Sequence, residues 1–161
     1  MKKAQLYGQI FTYVLTIILV SFILIYGYNA IVNFKNRAEQ ISCLKFKSDL
    51  SSAVEGILSD FGSVKRKDLE LCNGYAQACF VETFESFDRQ NPQGTDNKFI
   101  IDSVKSYTGK NAFLINSGAP DSFYAGKISV NSDVLCINAV DNKISIRLEG
   151  KGNHVLLSQW G

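Results

Sequence analysis

Histidine, methionine and tryptophan occur once each in this chain of 161 residues, and proline twice. With one histidine, a hydrolytic triad would have to take His154 as its base, and no G-x-S-x-G nucleophile elbow accompanies it. His154 sits in an alternating run near the C-terminus and reads as an ordinary strand residue. The four cysteines, Cys43, Cys72, Cys79 and Cys136, form neither the close pairs that zinc prefers nor the C-x-x-C spacing of a redox dithiol. No N-x-S/T sequon occurs, so N-linked sugar is not implied. Charge is the most telling absence. Tyrosine aside, residues 4 to 34 contain no ionisable side chain, and all fifteen carboxylates and fifteen of the seventeen basic residues lie beyond them.

That uncharged stretch holds a long apolar run, Ile10 to Tyr28, reading IFTYVLTIILVSFILIYGY. At about 1.5 Å per residue it spans roughly 28 Å, which matches a hydrocarbon core of about 30 Å. Leu6 to Phe34 would reach roughly 43 Å, so the helix either tilts or projects from the bilayer. Thr12, Thr16 and Ser21 are tolerable inside because their hydroxyls can bond back to helix carbonyls. Tyr7 and Tyr13 at one end, with Tyr26 and Tyr28 at the other, resemble interfacial aromatic belts. Membrane lipid is therefore an expected partner. A cleaved secretory signal would have a shorter apolar core, about 7–15 residues, and small residues spaced like A-x-A after it. Here Tyr28 stands two positions before Ala30, and Tyr28 and Asn29 follow Gly27, so a retained helix is expected.

Two domains are expected: residues 1–35 with the membrane helix, and residues 36–161 as one compact domain large enough to hold its own core. The second part is close to electroneutral, which gives no electrostatic reason to expect nucleic acid as a partner. Four cysteines in so small a domain fit an oxidising compartment. The expected location is the cell membrane, single-pass, with the C-terminal domain extracellular. The positive-inside count does not itself favour that orientation, with Lys2 and Lys3 on one flank and Lys35, Arg37, Lys45 and Lys47 on the other. Four cysteines allow three connectivities, among which sequence alone cannot choose. Loop geometry points to a Cys72–Cys79 bridge across the turn-rich Asn-Gly-Tyr-Ala-Gln-Ala segment, leaving Cys43 for Cys136. Each bridge would contribute about 2–4 kcal/mol.

Past the membrane, Asn33 to Ser48 is mixed: Phe34, Ala38 and Ile41 fit a helical continuation, while Leu44-Lys45-Phe46-Lys47 alternates like a strand. Ser48 to Phe61 reads as a helix with Leu50, Val54, Ile57, Leu58 and Phe61 on one face, Ser48 or Asp49 as cap and Gly62 as stop. Expected strands are Ser63–Leu71, Ala78–Phe84, Asn111–Asn116, Lys127–Val130, Val134–Val140, Lys143–Glu149 and His154–Gln159. Turns at Asp141-Asn142 and Gly150–Asn153 suggest that the last three form an antiparallel meander. Lys98–Tyr107 reads as a short helix with Phe99, Ile100, Ser103, Val104 and Tyr107 inward, and Asp88–Asn97 as a polar loop. The expected fold is α+β: a long N-terminal transmembrane helix, then a small, largely antiparallel sheet domain with one or two helices.

Few residues suggest chemistry. Glu82 and Glu85, with Asp88, could pair as glycosidase acids, although polar positions at a strand end explain them better. Gly150-Lys151-Gly152 lacks Walker spacing and lies between strands rather than before a helix. Lys65-Arg66-Lys67 could touch anionic headgroups, but Lys65 and Lys67 read as one solvated strand face with Asp68 and Glu70 nearby. No cofactor, metal site or enzymatic activity is expected.

The N-terminus carries one family resemblance. Lys2-Lys3-Ala4, then Gln5-Leu6-Tyr7-Gly8-Gln9 and the apolar helix, resembles an archaeal type IV prepilin with its class III signal. The resemblance covers about 35 residues. It implies a prepilin peptidase as partner, with Ala4 as the residue before the cut and Gln5 as the mature N-terminus. Members often carry glutamate at the fifth mature position; here Gln9 stands there, without the charge that helps register subunits. The resemblance also implies self-association through the N-terminal helix, in which Gly8, Ser21 and Gly27 would allow close packing. A structural or adhesive filament subunit is the function it implies. The other reading is a permanently anchored extracytoplasmic binding domain that does not polymerise.

Overall fold

A computed structural model describes residues 2–72, 74–84, 88–116 and 119–161, apart from the side chains of residues 2–9 and 36. The fold is α+β: among the described residues, a long helix α1 (Lys2–Leu58) is followed by eight strands and a second, short helix. The chain divides into two units, residues 1–40 and 41–161.

In the first unit, α1 carries the one stretch among the described residues that is long and apolar enough to cross a membrane, and none of that stretch is buried. Phe11, Ile23, Tyr26 and Phe34 are each about two-thirds exposed or more. Such exposure suits lipid, where backbone groups must be satisfied within the helix. The hydroxyls behave as expected. Thr16 donates to the carbonyls of Thr12 (3.0 Å) and Tyr13 (2.8 Å), and Ser21 to that of Ile17 (2.8 Å).

In the second unit α1 departs from expectation. Leu44–Lys47 is helical, not extended, and no cap begins at Ser48 or Asp49. Phe46, Leu50, Val54 and Ile57 recur at helical spacing and are all buried, so this longer period outweighs a four-residue alternation. The helix ends at Leu58, and Phe61, expected on its inner face, is 80% exposed. Gly62 takes a left-handed φ of 79° just beyond the end, and its N–H donates to the Gly150 carbonyl at 2.8 Å.

The strands form two four-stranded sheets. Sheet A has the order β1 (Val64–Glu70), β7 (Lys143–Gly150), β8 (Val155–Gln159), β5 (Ile128–Val130). Sheet B has the order β4 (Asp121–Phe123), β3 (Ala112–Ile115), β2 (Gln77–Val81), β6 (Val134–Asn138). Ile144, Ile146 and Leu148 of β7 point into a core shared with α1, while Lys143 and Arg147 face water. Sheet B is covered on both faces. Ala78, Phe80, Ala112, Leu114 and Ile137 join the α1 core, whereas Cys79, Val81, Phe113 and Val134 face helix α2 (Lys98–Lys105) through Ile100 and Val104. Asn97 caps α2, its side-chain oxygen accepting from the Phe99 N–H at 3.0 Å.

The expected three-strand meander is only half present. β7 and β8 form an antiparallel hairpin, but β6 belongs to the other sheet and pairs with β2. The Asp141-Asn142 turn, with φ of 50° and 61°, links the two sheets through an isolated Val140–Lys143 bridge. The physical reason lies in patterning. Val134–Ile137 is apolar on both faces and suits a doubly covered sheet, while β7 alternates and suits a half-exposed one. β4 was not expected, and β5 runs parallel to β8.

Candidate functional site

The residues of the expected processing site, Lys2, Lys3, Ala4, Gln5 and Gln9, all lie in the first turns of α1, and their side chains are outside the described set. The cysteines are all paired, but not as loop geometry indicated: the bridges are Cys43–Cys72 and Cys79–Cys136. Sheet B separates the pairs. Cys72 is buried in the α1 core with Cys43 packed against it, whereas Cys79 and Cys136 lie on the α2 side. Cys79 stands opposite Cys136 in the β2–β6 register, with Cα atoms 4.0 Å apart. A Cys72–Cys79 or Cys43–Cys136 bridge would have to pass through the sheet. One helix able to span a membrane and two disulfides together fit a membrane-anchored domain in an oxidising environment.

The outer face of sheet A carries a charged network. Register places Arg66 and Asp68 opposite Arg147 and Ser145, while Lys65 and Lys67 lie opposite Leu148 and Ile146 on the other face. Asp68 and Glu70 therefore share a face with Arg66, and the two lysines share the other face with the buried Leu69. Hydrogen bonds from Ser145 and Arg66 hold the Asp68 carboxyl below its ordinary range. A bond from Lys151 does the same for Glu149. Burial, with the nearby Asp121 carboxylate, raises Tyr75. The Gly150–Asn153 turn thus holds Lys151 on a neighbouring carboxylate, an arrangement unlike a phosphate loop.

Of the three candidate acids, Glu82 and Asp88 fall among the described residues. Glu82 is buried, and its two carboxylate oxygens accept the N–H groups of Phe84 (2.6 Å) and Val130 (2.7 Å). Asp88 accepts from the Gln90 N–H at 3.0 Å, and Glu85 lies outside the described residues. His154 stacks on Phe84 with ring centroids 4.0 Å apart, and one ring nitrogen meets Asn153 Oδ1 at 2.7 Å. Among the described residues, no group of three metal-ligating side chains converges.

The structure does assemble a cleft of about 450 Å³ that sequence reasoning missed. The end of β2 and the residues after it, Val81, Glu82, Thr83 and Phe84, line it together with Val104 of α2. Tyr107, Thr108, Gly109 and Lys110 after α2, Tyr124 and Lys127 between β4 and β5, and Arg89 of the polar loop complete the lining. The Arg89 guanidinium lies 5.0 Å from the centre of the Tyr107 ring, a cation–π contact. Tyr107 has a left-handed φ of 52°, uncommon for a bulky residue, and its side chain is 70% exposed. Tyr107 therefore does not bury itself as the inner face of a helix. The α2 helix stops at Lys105 and releases it into the cleft wall. The available sequence signal was an aromatic just before Thr-Gly, where a helix ends.

No family model, curated protein or solved structure matches this chain.

Proposed function

We propose that this protein is a pilin-like, membrane-inserted subunit of a cell-surface filament or of its assembly apparatus, with a structural or adhesive role. The observation that carries the reading is that one helical element, Lys2–Leu58, supplies both the uncharged apolar run and the core residues Phe46, Leu50, Val54 and Ile57 of the head. A filament subunit requires a long apolar helix that packs with copies of itself and a folded head that the same helix helps to build. The exposed run Ile10–Phe34, with Gly27 and Ser21 permitting close approach, supports self-association. The two disulfides support an extracellular head on a cell-membrane anchor. Gln9 favours a second reading, an anchored extracytoplasmic binding domain that does not polymerise, because the charge that registers subunits is missing there.

Processing distinguishes the two. Lys2 and Lys3 would hold the scissile bond at the inner surface, since burying ammonium groups costs several kcal/mol. Ala4 supplies the small side chain before the cut. In a host with an active prepilin peptidase, the purified protein should begin at Gln5, and Ala4→Leu or Lys3→Glu should leave it unprocessed. An N-terminus at Met1 or Lys2 rejects the pilin reading and leaves the anchored domain.

A further inference from the structure

We infer that the cleft at the end of β2 is a binding site for an acidic saccharide, a sugar ring bearing a carboxylate or sulfate. This does not depend on whether the chain polymerises. Three observations lead to it. The first is aromatic surface. Tyr107, Tyr124 and Phe84 line the cleft and are 70%, 55% and 47% exposed, with Arg89 against one face of Tyr107 and His154 against one face of Phe84. Exposed rings in a concavity offer flat faces for the C–H bonds of a sugar ring, and a cleft of about 450 Å³ lies within the usual size range of small-ligand sites.

The second observation is charge. Arg89, Lys110 and Lys127 line the cleft against a single carboxylate, Glu82, among the described residues. Both Glu82 oxygens accept backbone N–H groups, so that carboxylate is committed to holding β2 against β5. Among the described lining residues, cations thus outnumber carboxylates. Beyond the anchor the domain is close to neutral, so its net charge gives no reason to expect a nucleic-acid backbone there. A short ligand with one or two anionic groups fits this distribution better than a polyphosphate chain does.

The third observation is placement. Ser103 and Thr108 also line the cleft, their hydroxyls 2.6 Å apart, and the phenols of Tyr107 and Tyr124 add further polar groups that suit a polyhydroxylated ring. Tyr107 is held in a left-handed backbone conformation two residues before Gly109, also at positive φ (72°). Backbone strain at an exposed aromatic is the kind of feature that gathers at ligand sites.

The test is titration calorimetry of the full chain in detergent with four probes: digalacturonate, a neutral galactose disaccharide, inorganic phosphate and a single-stranded oligonucleotide. Digalacturonate should bind, and the neutral disaccharide should bind about tenfold or more weakly, as expected for loss of charge-assisted bonds. Lys110→Gln with Lys127→Gln should reduce digalacturonate affinity about tenfold without altering neutral binding. Tyr107→Gly, which suits the positive φ and so should not disturb the fold, should weaken both sugars. No digalacturonate binding up to about 10 mM would overturn the inference. So would equal binding of the two disaccharides, or affinity unchanged in both variants. Tighter binding of phosphate or of the oligonucleotide than of the acidic sugar would overturn it too, and would assign the cleft to a bare anion or to a nucleic acid.

Discussion

Removing the Cys79–Cys136 bridge should cost more than removing Cys43–Cys72, and both should cost more than a local bridge could. The bridges span 57 and 29 residues. With chain-entropy loss growing as the logarithm of loop length, these give about 4.2 and 3.6 kcal/mol, against about 2.5 for the short loop that Cys72–Cys79 would close. Against a total stability of about 5–15 kcal/mol, either loss is severe. The perturbations are the pairs Cys79→Ala with Cys136→Ala and Cys43→Ala with Cys72→Ala, read as denaturant midpoints. The connectivity behind the numbers is checked separately by trypsin without reductant. Cys72 and Cys79 fall in one peptide, residues 68–89, with Cys43 in 38–45 and Cys136 in 128–143. The bridges described here tie all three peptides together, and a further cut after Tyr75 should separate a Cys43–Cys72 pair from a Cys79–Cys136 pair. Recovery of 38–45 joined only to 128–143, with 68–89 bridged internally, would refute the pairing and the two-sided reading of sheet B. Free thiols at all four positions in protein from native membranes would refute the oxidising environment as well.

Two further outcomes follow from the packing and the charges. A Cβ at Gly150 would lie 2.3 Å from the Asp60 carbonyl oxygen and 2.4 Å from that of Ile57, backbone atoms that cannot swing away. Gly150→Ala should therefore destabilise by about 1–3 kcal/mol or more, while Gly56→Ala, with open space around it, should be neutral or stabilising by up to about 1 kcal/mol. Equal denaturation midpoints for the two variants would contradict this packing. The folded-state carboxyls of Asp68 and Glu149 titrate below their ordinary values of 3.8 and 4.5. Their stabilisation is thus fully present above the unfolded values and is lost as pH falls through the lower folded values. Thermal melts should show stability dropping below about pH 4.5, less steeply in Asp68→Asn with Glu149→Gln; parallel curves would exclude that role.

The anchor needed no tertiary information. Nineteen residues without charge from Ile10 to Tyr28 determine a lipid-length helix by composition, because no side chain there must be kept in water. The strictly alternating β7, the α2 helix and the turn at Asp141-Asn142 were legible for similar reasons, since each depends on local period or on local backbone chemistry. Strand partners were not. Whether β6 joined β7 or β2 depended on which sheet had two covered faces, a property of the assembled layers and only hinted at by the apolar run Val134–Ile137. The same layering decided the disulfides. Cys72 and Cys79 are neighbours in sequence, but the sheet between them puts their side chains in different cores. The cleft is a tertiary product in the same sense. Phe84, Arg89, Tyr107, Tyr124 and Lys127 come from three connections and share no motif, and they meet only because the ends of β2 and α2 converge on the segment between β4 and β5.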